Sequence, residues 1–285
     1  MAGMVVTSII DLQPRQGSRK RPWIAFVVAW ILATLIFILH LVLRTQADLS
    51  PPLVAMSALT ALSPAFVVSS AFSRVPGVRN YLASLVKPRG SISWYLVAIL
   101  LLPVVQLLGV ALTRALGQEV WWRPIQTKGA VQLASIVAFA FVYQVFYANC
   151  LGEEVGWRGF ALSKLQTRYS PLAASIIIGF LWVLWHFPYW QAQLGYFNSK
   201  YMLFASGITL AYSFIFTWLY NRTGGSILAV GLMHVSGNLS GNFVQFLWIW
   251  PLLMMLLALI VIVADKMWQM LPSDSHAGLD SIPRK

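Results

Sequence analysis

The sequence predicts an all-helical, polytopic membrane protein with about eight transmembrane helices, and three observations carry that prediction. Hydrophobic residues make up 59% of the chain and charged residues 10%, where a soluble domain has about 25% charged; the mean hydropathy is +0.72. Eight apolar runs, at about 23–43, 53–73, 94–114, 131–152, 172–190, 201–220, 226–243 and 245–264, reach the length a bilayer requires. With the N-terminus inside, 15 Lys and Arg residues fall in inner segments and 5 (Arg44, Arg114, Arg123, Lys128, Lys200) in outer loops. That asymmetry predicts a multi-pass protein of the cell (plasma) membrane with both termini cytoplasmic.

The elements follow in order. Residues 1–22 form a basic N-terminal segment with Arg15, Arg19, Lys20 and Arg21. The run from Trp23 to Leu43 exceeds the roughly 7–15 residues of a signal-peptide core, so it reads as an uncleaved span despite the weak cleavage-like Thr45-Gln46-Ala47. Residues 23–130 hold three helices and their loops, 131–245 a core containing the polar motifs, 246–264 the last helix and 265–285 a short cytoplasmic tail. Pro88-Arg89-Gly90, Pro171 and Asn221 to Ser226 punctuate the runs as turns. No internal repeat, low-complexity tract or soluble domain is visible.

Several function classes drop out. The single cysteine, Cys150, excludes an internal disulfide framework and a cysteine metal cluster, and reads as a packing residue. The +12 net charge lies in the loops, so it speaks for anionic lipid and not for nucleic acid. All five aspartates lie outside the spans, which excludes an intramembrane aspartyl dyad.

Three motifs hold nearly all the ionisable groups of the spans. The first, Glu153-Glu154 with Arg158, ends an otherwise apolar segment. Ionised groups cost roughly 2.5–3.5 kcal/mol each at membrane depth, so they stay there for function. Glu154 and Arg158 are four apart and can pair, while Glu153 points about 100° away and has no intrahelical cation. One glutamate reads as structural, the other as available for chemistry. The second motif is Trp182 to Pro188 around His186, and the third is His234 with Asn238 one turn later. Asn149 and Asn242 extend these faces as helix contacts; His40 reads as an interhelical partner, and His276 lies in the tail.

An antiparallel hairpin turning at Tyr169 to Pro171 would bring Glu153 and His186 to one depth, roughly 24 Å up each helix. His234 sits only roughly 15 Å above its own turn, a mismatch of about 9 Å that closes if the hairpin projects into the cytoplasm. Gly152/Gly156 and Gly237/Gly241 are small-xxx-small pairs that permit close helix approach.

A desolvated glutamate beside a histidine can activate water, and a histidine with an asparagine can stabilise an oxyanion. Zinc held by Glu153, His186 and His234 is the alternative, although no HExxH motif is present. Taken together, EExxxR, the histidine motif and HxxxN resemble the CPBP family, which includes type II CAAX prenyl endopeptidases and Abi-type bacteriocin-processing proteins. The resemblance covers about 131–245 and departs at Trp182, where Phe is frequent. It implies an intramembrane endopeptidase in which Glu153 is the general base, His186 its partner, His234 and Asn238 the oxyanion donors, and Glu154 and Arg158 supporting residues. The water-filled cavity is expected to open to the cytoplasm, with no cofactor (zinc being the alternative). The implied partners are the lipid bilayer and a peptide or lipidated protein within it. Two other readings are a non-enzymatic immunity or partner protein and a transporter; the transporter lacks the expected inverted repeat.

Overall fold

The structure, a computed structural model, describes residues 86–120, 129–194, 197–241, 243 and 248–272, together with Ile24, Val27, Val28, Ile31 and Leu35, which are helical and exposed. The rest of the first expected span, the second span, His40, Asn242, His276 and both termini lie outside the described residues, as do the side chains of Asn149 and Cys150.

Among the described residues every regular element is helical. Helix α1 spans Ile92–Ala115, and α2 (Ala130–Tyr143) runs directly into a π-helix (Gln144–Leu162) and the short α3 (Ser163–Leu165). Then come α4 (Pro171–Leu194), α5 (Ser199–Arg222), α6 (Ile227–Gly241) and α7 (Trp250–Ala264).

The boundaries have local causes. Ser170 Oγ accepts the Ala173 N–H ahead of α4, and Pro171 occupies the first helical position, where its missing N–H costs nothing. Asn198 Oδ1 caps α5 by accepting the Tyr201 N–H at 3.1 Å. That helix closes at Gly224 and Gly225, both at positive φ, with Gly225 N–H returning to Tyr220 O. The last helix starts at Trp250, not 245, because Pro251 is tolerated only in a first turn.

Helices α1 and α5, of 24 residues each, are long and apolar enough to cross a membrane, with mean hydropathy 2.5 and 1.6. Helices α2, α6 and α7 are shorter, at 14, 15 and 15 residues. Six of the eight expected runs fall in described helices, and two of these, α1 and α5, are both long and apolar enough to cross a membrane. The outer surface is nonetheless apolar. Leu252, Met255, Leu256, Leu259, Ile260 and Val263 form an exposed stripe at helical spacing on α7. A stripe of this kind suits lipid and not water.

Helices α1, α4 and α6 begin at the end of the bundle where α5 and α7 finish. This end carries Lys87, Arg89, Lys164, Arg168, Arg222 and Lys266 and is called the basic end below; the other holds Arg114 and Lys200 among the described residues. The basic end is tied shut. Tyr95 Oη bonds Ser226 Oγ at 3.0 Å, Leu172 N–H donates to Met267 O at 2.8 Å, and Arg222 Nε donates to Asp265 at 2.7 Å.

Close packing holds the interior. Ser213 Oγ donates to Ser175 O between α5 and α4, and Ser236 Oγ to Ala98 O between α6 and α1. A Cβ on Gly179 would lie 2.6 Å from Leu210 Cδ1 and 3.0 Å from Ser213 Cβ. A Cβ on Gly237 would lie 2.7 Å from Leu102 Cδ1, whereas Gly241 meets nothing within 4 Å. Only the first glycine of that small-xxx-small pair makes the close approach. Gly179→Ile should lower stability by about 1–3 kcal/mol through overpacking. Gly207→Ala, with nothing within 4 Å, should leave it unchanged or slightly raised. Thermal unfolding in detergent checks both, and equal melting temperatures would refute the close α4–α5 contact.

Candidate active site

The π-helix carries the first motif, and its polar side chains turn inward. Glu153 is 4% exposed, and Glu154 and Arg158 are 0% exposed. The helical run continues past the motif to Leu165. Arg158 is not a cytoplasmic charge. It pairs inside the bundle and drops out of the inner basic residues.

Arg158 Nη1 donates to Glu154 Oε1 at 3.1 Å, and His234 Nδ1 lies 2.7 Å from the same oxygen. Nη1 is also 3.0 Å from Oε2, but at an angle that forms no hydrogen bond. An ionised carboxylate only accepts, so His234 carries its proton on Nδ1. The guanidinium carbon lies 4.5 Å from the Trp182 ring centroid and 4.9 Å from that of Phe216. Two aromatic faces supplement the ion pair where water cannot reach. The expected Glu154–Arg158 pair is present, and it also recruits His234.

Glu153 reaches a different partner. The Trp182 indole N–H donates to Glu153 Oε2 at 2.9 Å, and His186 Nδ1 lies 2.9 Å from the Trp182 carbonyl. A carbonyl only accepts, so Nδ1–H is again the donor, and in each neutral imidazole Nε2 is the nitrogen without a proton. Trp182 thus joins Glu153 to His186, and its ring contacts His234 edge-on at 5.4 Å between centroids. Sequence reasoning treated Trp182 as a departure from a pattern and missed this role. The available signal was its spacing, one turn before His186. Phe216, 5.4 Å from the His234 ring, carried no signal within its own apolar run.

The hairpin turn falls at residues 166–170, as expected. Glu153 receives the indole N–H of Trp182, which stands one turn before His186 on α4. An i→i+5 helix packs more residues into a given length, so Glu153 lies nearer the turn than a rise of 1.5 Å per residue implies. The same compression brings Glu154 level with His234, and the turn itself stays tied to the end of α7.

A cavity of about 260 Å³ adjoins the site, with Asn238, Trp190 and Tyr212 in its wall. The Trp190 ring stacks on His186 at 5.6 Å, and Tyr212 stacks on Phe216 at 5.3 Å. The cavity lies between the ends of α4 and α6 and the starts of α5 and α7, away from the basic end.

Among the described residues no group of three or more His, Cys, Asp or Glu could hold a metal ion. Glu153 faces Trp182, and His234 faces Glu154.

Glu154→Gln should strand the buried guanidinium and lower stability by about 3–5 kcal/mol. Adding Arg158→Met should recover a large part of that loss, because the unpaired charge is then gone. Unfolding of the detergent-solubilised variants measures both. A double variant no more stable than Glu154→Gln would contradict the ion-pair account.

Residues 135–240 match the family model for type II CAAX prenyl endopeptidase Rce1-like proteins. A protein named CAAX prenyl protease 2 from Methanococcus maripaludis is 31% identical over 153 residues, covering 50% of this chain and 54% of the relative. The chain thus spans about half the length of the curated relative it matches. The matched segment contains Glu153, Glu154, Arg158, Trp182, His186, His234 and Asn238. Residues 135–240 are thus similar in sequence to the type II CAAX prenyl endopeptidases that the three motifs resemble.

Proposed function

We propose that this protein is a membrane endopeptidase that hydrolyses a peptide bond of a membrane-associated protein by a glutamate-activated water. One observation carries the reading: two glutamates and two histidines, each held by a named partner, converge inside an apolar bundle within the Rce1-like segment.

The roles follow from the partners. Glu153 accepts a proton from water, whose oxygen attacks the scissile carbonyl carbon. His186, with Nδ1 fixed by the Trp182 carbonyl, offers Nε2 to orient that water. The negative charge developing on the carbonyl oxygen is met by Asn238 and, in the form that has taken a proton from solvent on Nε2, by His234, whose Nδ1–H is held by Glu154. Collapse of the intermediate breaks the C–N bond, and the proton on Glu153 passes to the leaving amine. No step is assigned to zinc. Glu154 and Arg158 hold His234 in place.

The membrane is the setting, and the apolar outer stripe supports it. With six basic residues at one end of the described bundle and two at the other, we place the basic end and both termini in the cytoplasm, in the plasma membrane. The relative's name supports a CAAX-type lipidated substrate; a bacteriocin-related peptide is the other candidate.

Glu153→Gln should reduce hydrolysis by about 10²–10⁴-fold, the share of a general base, with melting temperature retained. New peptide termini, compared by mass spectrometry between wild-type and variant membranes, read this directly. Identical profiles would favour a non-enzymatic immunity or partner role. Trp182→Phe keeps the ring but loses a hydrogen bond to a charged group, worth about 1.5–3 kcal/mol. Turnover of the substrate so identified should fall roughly ten- to hundredfold, and an unchanged rate would remove Trp182 from the positioning of Glu153.

A further inference from the structure

The cavity beside Asn238 has a wall that composition alone does not explain. Gln106 lies in the middle of α1, the most hydropathic of the helices long enough to cross a membrane, and is 6% exposed. Thr209 on α5 is 7% exposed. Both line the cavity, as do Tyr212 and Asn238. Among the described residues none of these four side chains has a hydrogen-bond partner in the protein. Buried amides and hydroxyls are almost always paired, and an unpaired one costs about 1–3 kcal/mol. Gln106 and Thr209 are buried and Tyr212 and Asn238 half-buried, and all four open onto the cavity, so a guest that displaces water there has to replace its hydrogen bonds.

The chemistry of the guest follows from the lining. No Lys, Arg, His, Asp or Glu contributes to it, so neither a carboxylate nor an ammonium would be neutralised there. Trp190, Ile208 and Trp250 supply apolar walls. At about 260 Å³ it falls just below the roughly 300–1,000 Å³ of pockets that enclose drug-sized ligands. The space suits a side chain and its backbone amide, and a long lipid tail would leave four polar groups unpaired. The position is equally specific, because Trp190 stacks on His186 and Asn238 lies one turn beyond His234.

We propose that this cavity is a side-chain subsite for an uncharged, hydrogen-bonding residue, an amide or a hydroxyl, adjoining the scissile bond of the substrate. The inference rests on the peptidase reading for its role, but the binding it asserts can be measured without turnover.

Saturation-transfer NMR on the full-length protein in detergent would compare three probes: N-acetylglutamine methylamide, N-acetylglutamate methylamide and N-acetylleucine methylamide. The glutamine derivative should bind at least tenfold more tightly than the glutamate derivative. Gln106→Leu should abolish that advantage and favour the leucine derivative, and Thr209→Val should weaken the glutamine derivative alone. No discrimination among the probes, or the same discrimination in Gln106→Leu, would overturn the proposal. Terminal profiling provides an independent arm. Termini lost in Glu153→Gln should show Gln, Asn, Ser or Thr enriched, and charged residues depleted, at one position flanking the cut. Binding without proteolysis would sink the peptidase reading and leave the subsite chemistry standing; proteolysis with a charged residue at both flanking positions would sink the subsite alone.

Discussion

A guanidinium with no access to water must be neutralised where it stands, and the interior of this bundle is arranged around that demand. Arg158 is wholly buried, so Glu154 has to be ionised beside it, and Trp182 and Phe216 have to cover its faces. Each partner belongs to a different part of the chain: Trp182 to α4, Phe216 to α5, and His234, bound to the same carboxylate, to α6. Four helical segments are thereby fixed relative to one side chain. A buried ion pair is weak evidence for stability, since an apolar replacement often does as well. Its effect here is better described as register. Sliding any of these helices by one turn would leave a charge without its partner.

The π-helix makes that arrangement geometrically possible. Wide turns bring Glu153 and Glu154 to neighbouring faces, one toward Trp182 and the other toward His234. Long π-helices are uncommon because their hydrogen-bond geometry is less favourable, and they gather at functional sites. The compensation is visible in this case. The interhelical hydrogen bonds and ring contacts made by Glu153, Glu154, Trp157 and Arg158 replace what the backbone gives up.

How much of this the sequence disclosed depends on the physics each residue reports. Helix positions were legible because apolar runs and turn residues are local signals. Pro251 shows the limit, since its rule was available and would have moved the start of α7. The Glu154–Arg158 pair was legible because i,i+4 spacing survives in both α- and π-helices. The burial of Arg158 was not, because a charge beyond the end of an apolar run looks solvent-facing until its buried partners are known. The role of Trp182 could not be read for a related reason. An indole in an apolar helix reads as packing, and only the depth of Glu153, set by the unpredicted π-helix, shows what its N–H meets. Gln106 carried the same kind of signal, a lone amide in an apolar run.

The two ends of the bundle differ in a way that bears on how any substrate arrives. At the basic end, turns from α3–α4, α5–α6 and the end of α7 are joined by side-chain and backbone bonds, and Arg222 with Asp265 adds an ion pair. At the other end the described connections are fewer, and the cavity lies there among Trp190, Tyr201 and Trp250. Charge placement and access are thus opposed: among the described residues the end richer in Lys and Arg is the closed one. A peptide segment reaching Glu153 through the cavity would pass Asn238 before His186, and it would exchange water for the unpaired amides and hydroxyls of the wall as it entered. The desolvation that strengthens the carboxylate and imidazole contacts at the site would then accompany binding, which is the order a hydrolase needs if water is to be admitted singly.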